Sequence, residues 1–83
     1  MDFIKGQLVR SKAGRDKART FAVLAVEGQM LFLADGRLRK ISCPKRKKNK
    51  HVAPIATVLQ GEVLASDEKL SKAIEAFDAQ SPI

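Results

Sequence analysis

Apolar and polar positions fall into short blocks along the 83 residues of the chain. Residues 3–10 (FIKGQLVR) and 20–26 (TFAVLAV) have the β-branched and apolar character of strands, and a basic loop, SKAGRDKAR, joins them. EGQ then makes a turn before the apolar run MLFLA at 30–34. Asp35-Gly36 follows, a pair favoured in two-residue hairpins because both central positions need positive φ. The returning strand is expected over 37–41 (RLRKI), placing Ala34 opposite Arg37, Leu33 opposite Leu38, Phe32 opposite Arg39, Leu31 opposite Lys40 and Met30 opposite Ile41. Leu33 and Leu38 then share the inward face, and Phe32 and Arg39 the opposite one. Residues 54–59 supply a short closing strand with Pro54 at its first position. Ser66 or Asp67 caps a helix over 67–79, on which Leu70, Ala73, Ile74 and Phe77 form one stripe. The order predicts a mainly β fold, a small β-barrel over residues 1–60, with a C-terminal α-helical extension over 61–83 packing on it.

Size and composition narrow what such a fold does. One domain of this length keeps only a few kcal/mol of net stability and has little room for a catalytic cleft. An apolar content of 45% with 30% charged residues belongs to a folded chain rather than a disordered one. No stretch approaches the roughly 18 apolar residues of a membrane helix, and MDFIKGQLVR lacks the apolar core and cleavage site of a signal peptide, so a cytoplasmic monomer without membrane contact is expected. Cys43 is the only cysteine and His51 the only histidine, which leaves no internal disulfide and no tetrahedral zinc site; no metal or cofactor is expected.

Charge changes the picture more. Residues 1–51 hold 14 Lys/Arg against 4 Asp/Glu, a net +10, and residues 52–83 hold 2 against 5, a net −3. The N-terminal part therefore carries the whole excess of +7, the electrostatic footprint of a protein that binds nucleic acid. Charge alone does not separate RNA from DNA or from an acidic protein.

The stretch Gly6 to Lys17 (GQLVRSKAGRDK) resembles a KOW motif: a strand, a basic loop pivoting on one glycine, and a second apolar strand. With ADGRLRKI and PKRKKNKH downstream, residues 4 to 60 resemble bacterial KOW-domain proteins related to the fourteenth eukaryotic-type large-subunit ribosomal protein. Many KOW motifs carry a second glycine where this chain has Ala18. The resemblance implies an SH3-like β-barrel, RNA binding, chiefly of ribosomal RNA in translation or ribosome assembly, and no catalysis.

Three cationic elements are the candidate site. The first loop presents Lys12, Arg15, Lys17 and Arg19 around Gly14, which takes positive φ and lets a phosphate approach the backbone. Asp16, its one acid, is expected to fix the loop's shape by accepting backbone or arginine hydrogen bonds. Arg37, Arg39 and Lys40 follow the Gly36 turn. Phe32 is expected to pack under the helix against Leu70, Ile74 or Phe77; exposed beside Arg39 it would instead stack an unpaired base. Lys45, Arg46, Lys47, Lys48 and Lys50 form an internal loop tethered at both ends, which lowers the entropy lost on aligning with phosphates. His51 adds a phosphate or base contact. Cys43 is expected half-buried and inert. A proline-binding SH3 groove needs aromatics, and with no Tyr and no Trp the adapter alternative reduces to the helix contacting a protein, such as a ribosomal protein. DNA binding is the further alternative. Paired carboxylates, an activated nucleophile and a phosphate-cradling glycine motif are all missing, so no enzyme is expected.

Overall fold

The first two apolar runs become β1 (Gln7–Ser11) and β2 (Thr20–Glu27), paired antiparallel with Val9 opposite Phe21. The structure is a computed structural model that describes residues 2–80; the last three residues of the expected extension, 81–83, lie outside them. β3 (Met30–Ala34) folds back on β2. Beyond it come β4 (Lys45–Lys48), a 3-10 turn over Asn49–His51, β5 (Val52–Val58), a second 3-10 turn over Gly61–Ala65, and α1 (Asp67–Gln80). The strands make one antiparallel sheet in the order β4-β3-β2-β1-β5. The domain is thus mainly β with one C-terminal helix. No pairing joins the edge strands β4 and β5 among the described residues. β5 begins two residues earlier than expected, and Pro54 is its third residue; an edge strand tolerates the missing N–H there.

Alternation along the strands sorts the core into two faces. Val9, Phe21, Val23, Leu31, Leu33 and Val52 form one cluster, with Phe3 packed against it. On the other face Leu8, Ala22 and Ala34 meet Leu70 and Ile74 of α1, flanked by Phe77, Leu24 and Leu64. Burying each such Leu, Ile or Phe contributes about 1.5–3 kcal/mol before chain entropy is counted. The helix is pinned at both ends. Near its start the Ser66 hydroxyl accepts the Lys69 N–H at 3.3 Å, and Asp67 Oδ1 accepts the Ile41 N–H at 2.7 Å. Near its end Asp78 Oδ1 accepts the Thr20 hydroxyl at 2.8 Å and lies 3.6 Å from Arg10. No helix among the described residues is long and apolar enough to cross a membrane.

Several expectations are corrected. Residues 37–41 are not a strand. The Asp35 carboxylate accepts the N–H groups of both Arg37 and Arg39 at 2.9 Å, and the Arg39 carbonyl accepts those of Asp35 and Gly36 at 3.0 and 3.1 Å. These bonds close a compact loop instead of a hairpin, so Leu38 does not face Leu33 and is 64% exposed. Gly36, at φ +80°, is buried against α1: a Cβ there would collide with the Asp67 carbonyl and come within 2.9 Å of the Ser71 nitrogen. The close approach of the helix, rather than a hairpin, requires glycine.

The second correction concerns the lysine run. Lys45–Lys48 is not a loop but the strand that pairs with β3, Leu33 opposite Lys45, Phe32 opposite Arg46, Leu31 opposite Lys47 and Met30 opposite Lys48. Only Asn49–His51 remains outside the strands. Phe32 consequently belongs to neither core cluster; it sits half-buried beside Arg46. Cys43, in the loop before β4, is exposed rather than half-buried.

Candidate nucleic-acid interface

The loop between β1 and β2 is closed at its base by two hydrogen bonds, Ser11 N–H to the Arg19 carbonyl (3.0 Å) and Ala18 N–H to the Ser11 carbonyl (2.8 Å). Gly14 (φ +85°) and Ala18 (φ +73°) provide its two left-handed residues. Alanine bears a Cβ penalty in that region of about 1–2 kcal/mol, partly offset by the chain entropy a glycine would add. Ala18→Gly is therefore expected to raise stability by about 0.5–1 kcal/mol, seen as a higher urea midpoint with an unchanged slope. A lowered midpoint would contradict the assigned backbone.

Asp16 is turned inward, with only 8% of its surface exposed. Its Oδ1 accepts the Ser11 hydroxyl at 2.7 Å and the Lys47 ammonium at 2.9 Å, and its Oδ2 pairs with the Lys45 ammonium. Lys47 also donates to the Ala13 carbonyl at 2.8 Å. Burial by itself would raise the Asp16 carboxyl; the hydrogen bonds from Lys45, Lys47 and Ser11, joined by the charge of Lys47, outweigh it and hold the group well below the usual aspartate range. The hydrogen bonds expected from backbone or arginine come instead from the Ser11 hydroxyl and two lysines. The strand period of two in β4 explains which lysines are involved. Lys45 and Lys47 point to the Asp16 side, while Arg46 and Lys48 point to the other. Lys47, expected to meet phosphate, is instead buried with its ammonium engaged inside the protein.

This internal pairing leaves arginines of two loops facing one depression. A cleft of about 370 Å³ is lined by Arg15 and Arg19 from the first loop, Leu38 and Arg39 from the second, and Lys45 from β4, with Phe21 and Asp16 between them. Arg19 and Leu38 also border an adjoining cleft of about 420 Å³, shared with Arg37 and with Ser71, Glu75 and Asp78 of α1. Among the described residues Arg15, Arg19, Arg37 and Arg39 form no ion pair. The one acid of the first cleft is already matched by two lysines, so the local field is positive.

The remaining candidates lie elsewhere. Lys12 and Lys50 flank a smaller cleft with Phe3 and Pro54, and the Lys12 N–H donates to the carbonyl of His51 at 2.9 Å. Lys17 is exposed on the first loop, and the Lys40 ammonium lies 3.5 Å from the Gly36 carbonyl. Arg46 and Lys48 are exposed on the far face of β4, with the Arg46 guanidinium 5.9 Å from the centre of the Phe32 ring. That distance is within cation–π range. Ser11 was not singled out by sequence, and Leu38 was expected in the core opposite Leu33. A hydroxyl two positions after Val9 on an inward-alternating strand is a legible signal for Ser11, whereas nothing local marks Leu38. No protein-family model matches the chain, and no curated protein matches it.

Proposed function

We propose that the protein is an RNA-binding module, acting in the cytoplasm on structured RNA and in the first place on ribosomal RNA. The observation that carries this reading is the meeting of Arg15, Arg19, Arg39 and Lys45, from three separate segments, around one cleft whose single carboxylate is already neutralised. Guanidinium groups without internal partners keep their forked donors for phosphate oxygens. The strand order, the 3-10 turn between β4 and β5 and the inner-face cluster drawn from β1, β2, β3 and β5 support reading the sheet as an SH3-like barrel of the KOW type. Preference for RNA over DNA rests on the KOW resemblance. The adapter alternative gains nothing from the helix stripe, since Leu70 and Ile74 are spent on the sheet.

Binding of this kind releases counterions. With four cations engaged, log K for a labelled RNA is expected to fall against log salt with a slope of about −3 to −4. Fluorescence anisotropy between low and moderate potassium chloride reads the slope. An affinity indifferent to salt would overturn the reading.

A further inference from the structure

Leu38 is the most exposed of the large apolar side chains among the described residues, at 64%. A lone exposed leucine needs no explanation, but the position of this one does. Together with Arg19 it borders both clefts, so it stands on the ridge between them. The loop beneath it is fixed by the two N–H bonds to Asp35 and by Gly36 wedged under α1, which holds the leucine out in water before any partner arrives. Presenting a rigid contact in this way lowers the ordering cost of binding.

The two sides of the ridge differ in charge. Arg15, Arg39 and Lys45 lie on one side around the single carboxylate of Asp16; on the other Arg37 lies among three carboxylates, those of Asp35, Glu75 and Asp78. A phosphate is drawn to the first and repelled from the second. A group crossing Leu38 must therefore offer an apolar face to the leucine and bring N–H donors, not anionic oxygens, toward the carboxylates. A nucleobase with an amino or ring N–H edge meets both conditions. Clefts of about 370 and 420 Å³ are at the small end of ligand sites, which span roughly 300–1,000 Å³. They suit the parts of one nucleotide rather than a helical groove. In a duplex the base is stacked and paired and reaches neither.

We propose that this ridge takes one unpaired nucleotide of the bound RNA, with its phosphate against Arg15, Arg39 and Lys45, its base lying over Leu38 and its donor edge toward Glu75. The proposal rests on the RNA reading above and adds to it the class of nucleotide recognised. Leu38 is a specificity contact, and the arginines remain the source of affinity.

The test uses two labelled RNA hairpins identical except for one bulged nucleotide, with the intact protein and its variants. The wild type is expected to bind the bulged RNA about tenfold more tightly. Leu38→Ala should weaken binding of the bulged RNA by about fivefold, leave the fully paired RNA within about twofold, and keep the salt slope on both. Leu38→Phe, which restores an apolar face, should recover the preference, whereas Arg39→Ala should weaken both RNAs and flatten both slopes. Equal losses on the two RNAs with Leu38→Ala, or no loss on either, would overturn the proposal while leaving the RNA reading intact. Binding of neither hairpin by the wild type would overturn the RNA reading itself and this inference with it.

Discussion

Asp16→Ala is expected to cost about 3–5 kcal/mol of folding stability, most of what a domain of this size possesses. Among the described residues the carboxylate is the only anion facing the Lys45 and Lys47 ammoniums. Once it is removed, Lys47, 9% exposed, keeps one neutral acceptor, the Ala13 carbonyl, for a buried charge. Removing the charge as well should relieve the cost: Lys47→Met in the Asp16→Ala background is expected to recover a large share of the loss, because an apolar chain of similar length suits that position opposite Leu31. Urea denaturation of the four proteins in this cycle measures the coupling. Additive losses would show that Asp16 and Lys47 do not act as a pair.

Acid should reproduce part of that effect. The folded Asp16 carboxyl is held below its ordinary value, whose reference is about 3.9. Its contribution is therefore fully present above that value and is lost as pH falls through and below it. The wild type should lose stability on acidification more steeply than Asp16→Ala does.

The removal of Arg15, Arg19 and Arg39 together is the second large effect. All three are exposed and, among the described residues, unpaired, so alanine there leaves no buried charge behind and should change stability by no more than about 0.5 kcal/mol each. RNA binding should respond differently. Losing three of four phosphate partners is expected to lower affinity by about 100-fold or more near 0.1 M salt and to reduce the salt slope by about 2 to 3. Because these arginines come from two loops joined only through the fold, the effect also tests whether the loops act as one surface.

Local patterns announced β1, β2, β3 and α1 because each is written in contiguous residues: β-branched runs for the strands, and Leu70, Ile74 and Phe77 at helical spacing behind Ser66. What escaped was decided across long sequence separations. Asp35-Gly36 carries a hairpin signal, yet the chain obeys α1, whose Asp67 binds Ile41 and whose backbone crowds Gly36. The strand in Lys45–Lys48 was hidden by composition, since lysine is a poor strand former and four cations in a row read as solvated. Two of them turn inward only because Asp16 waits 29 and 31 residues earlier in the chain. The basic character of the site was therefore legible, but its membership was not: Lys47 moved from the binding surface to the interior, and Leu38 moved from the core to the ridge.

The decisive measurement is the slope of log K against log potassium chloride for one RNA hairpin, taken for the wild type and for the Arg15→Ala/Arg19→Ala/Arg39→Ala variant at matched stability. Convergence of the two loops and β4 on one phosphate-binding cleft predicts a slope near −3 to −4 for the wild type and near −1 for the variant. A variant that keeps the wild-type slope and affinity would contradict it.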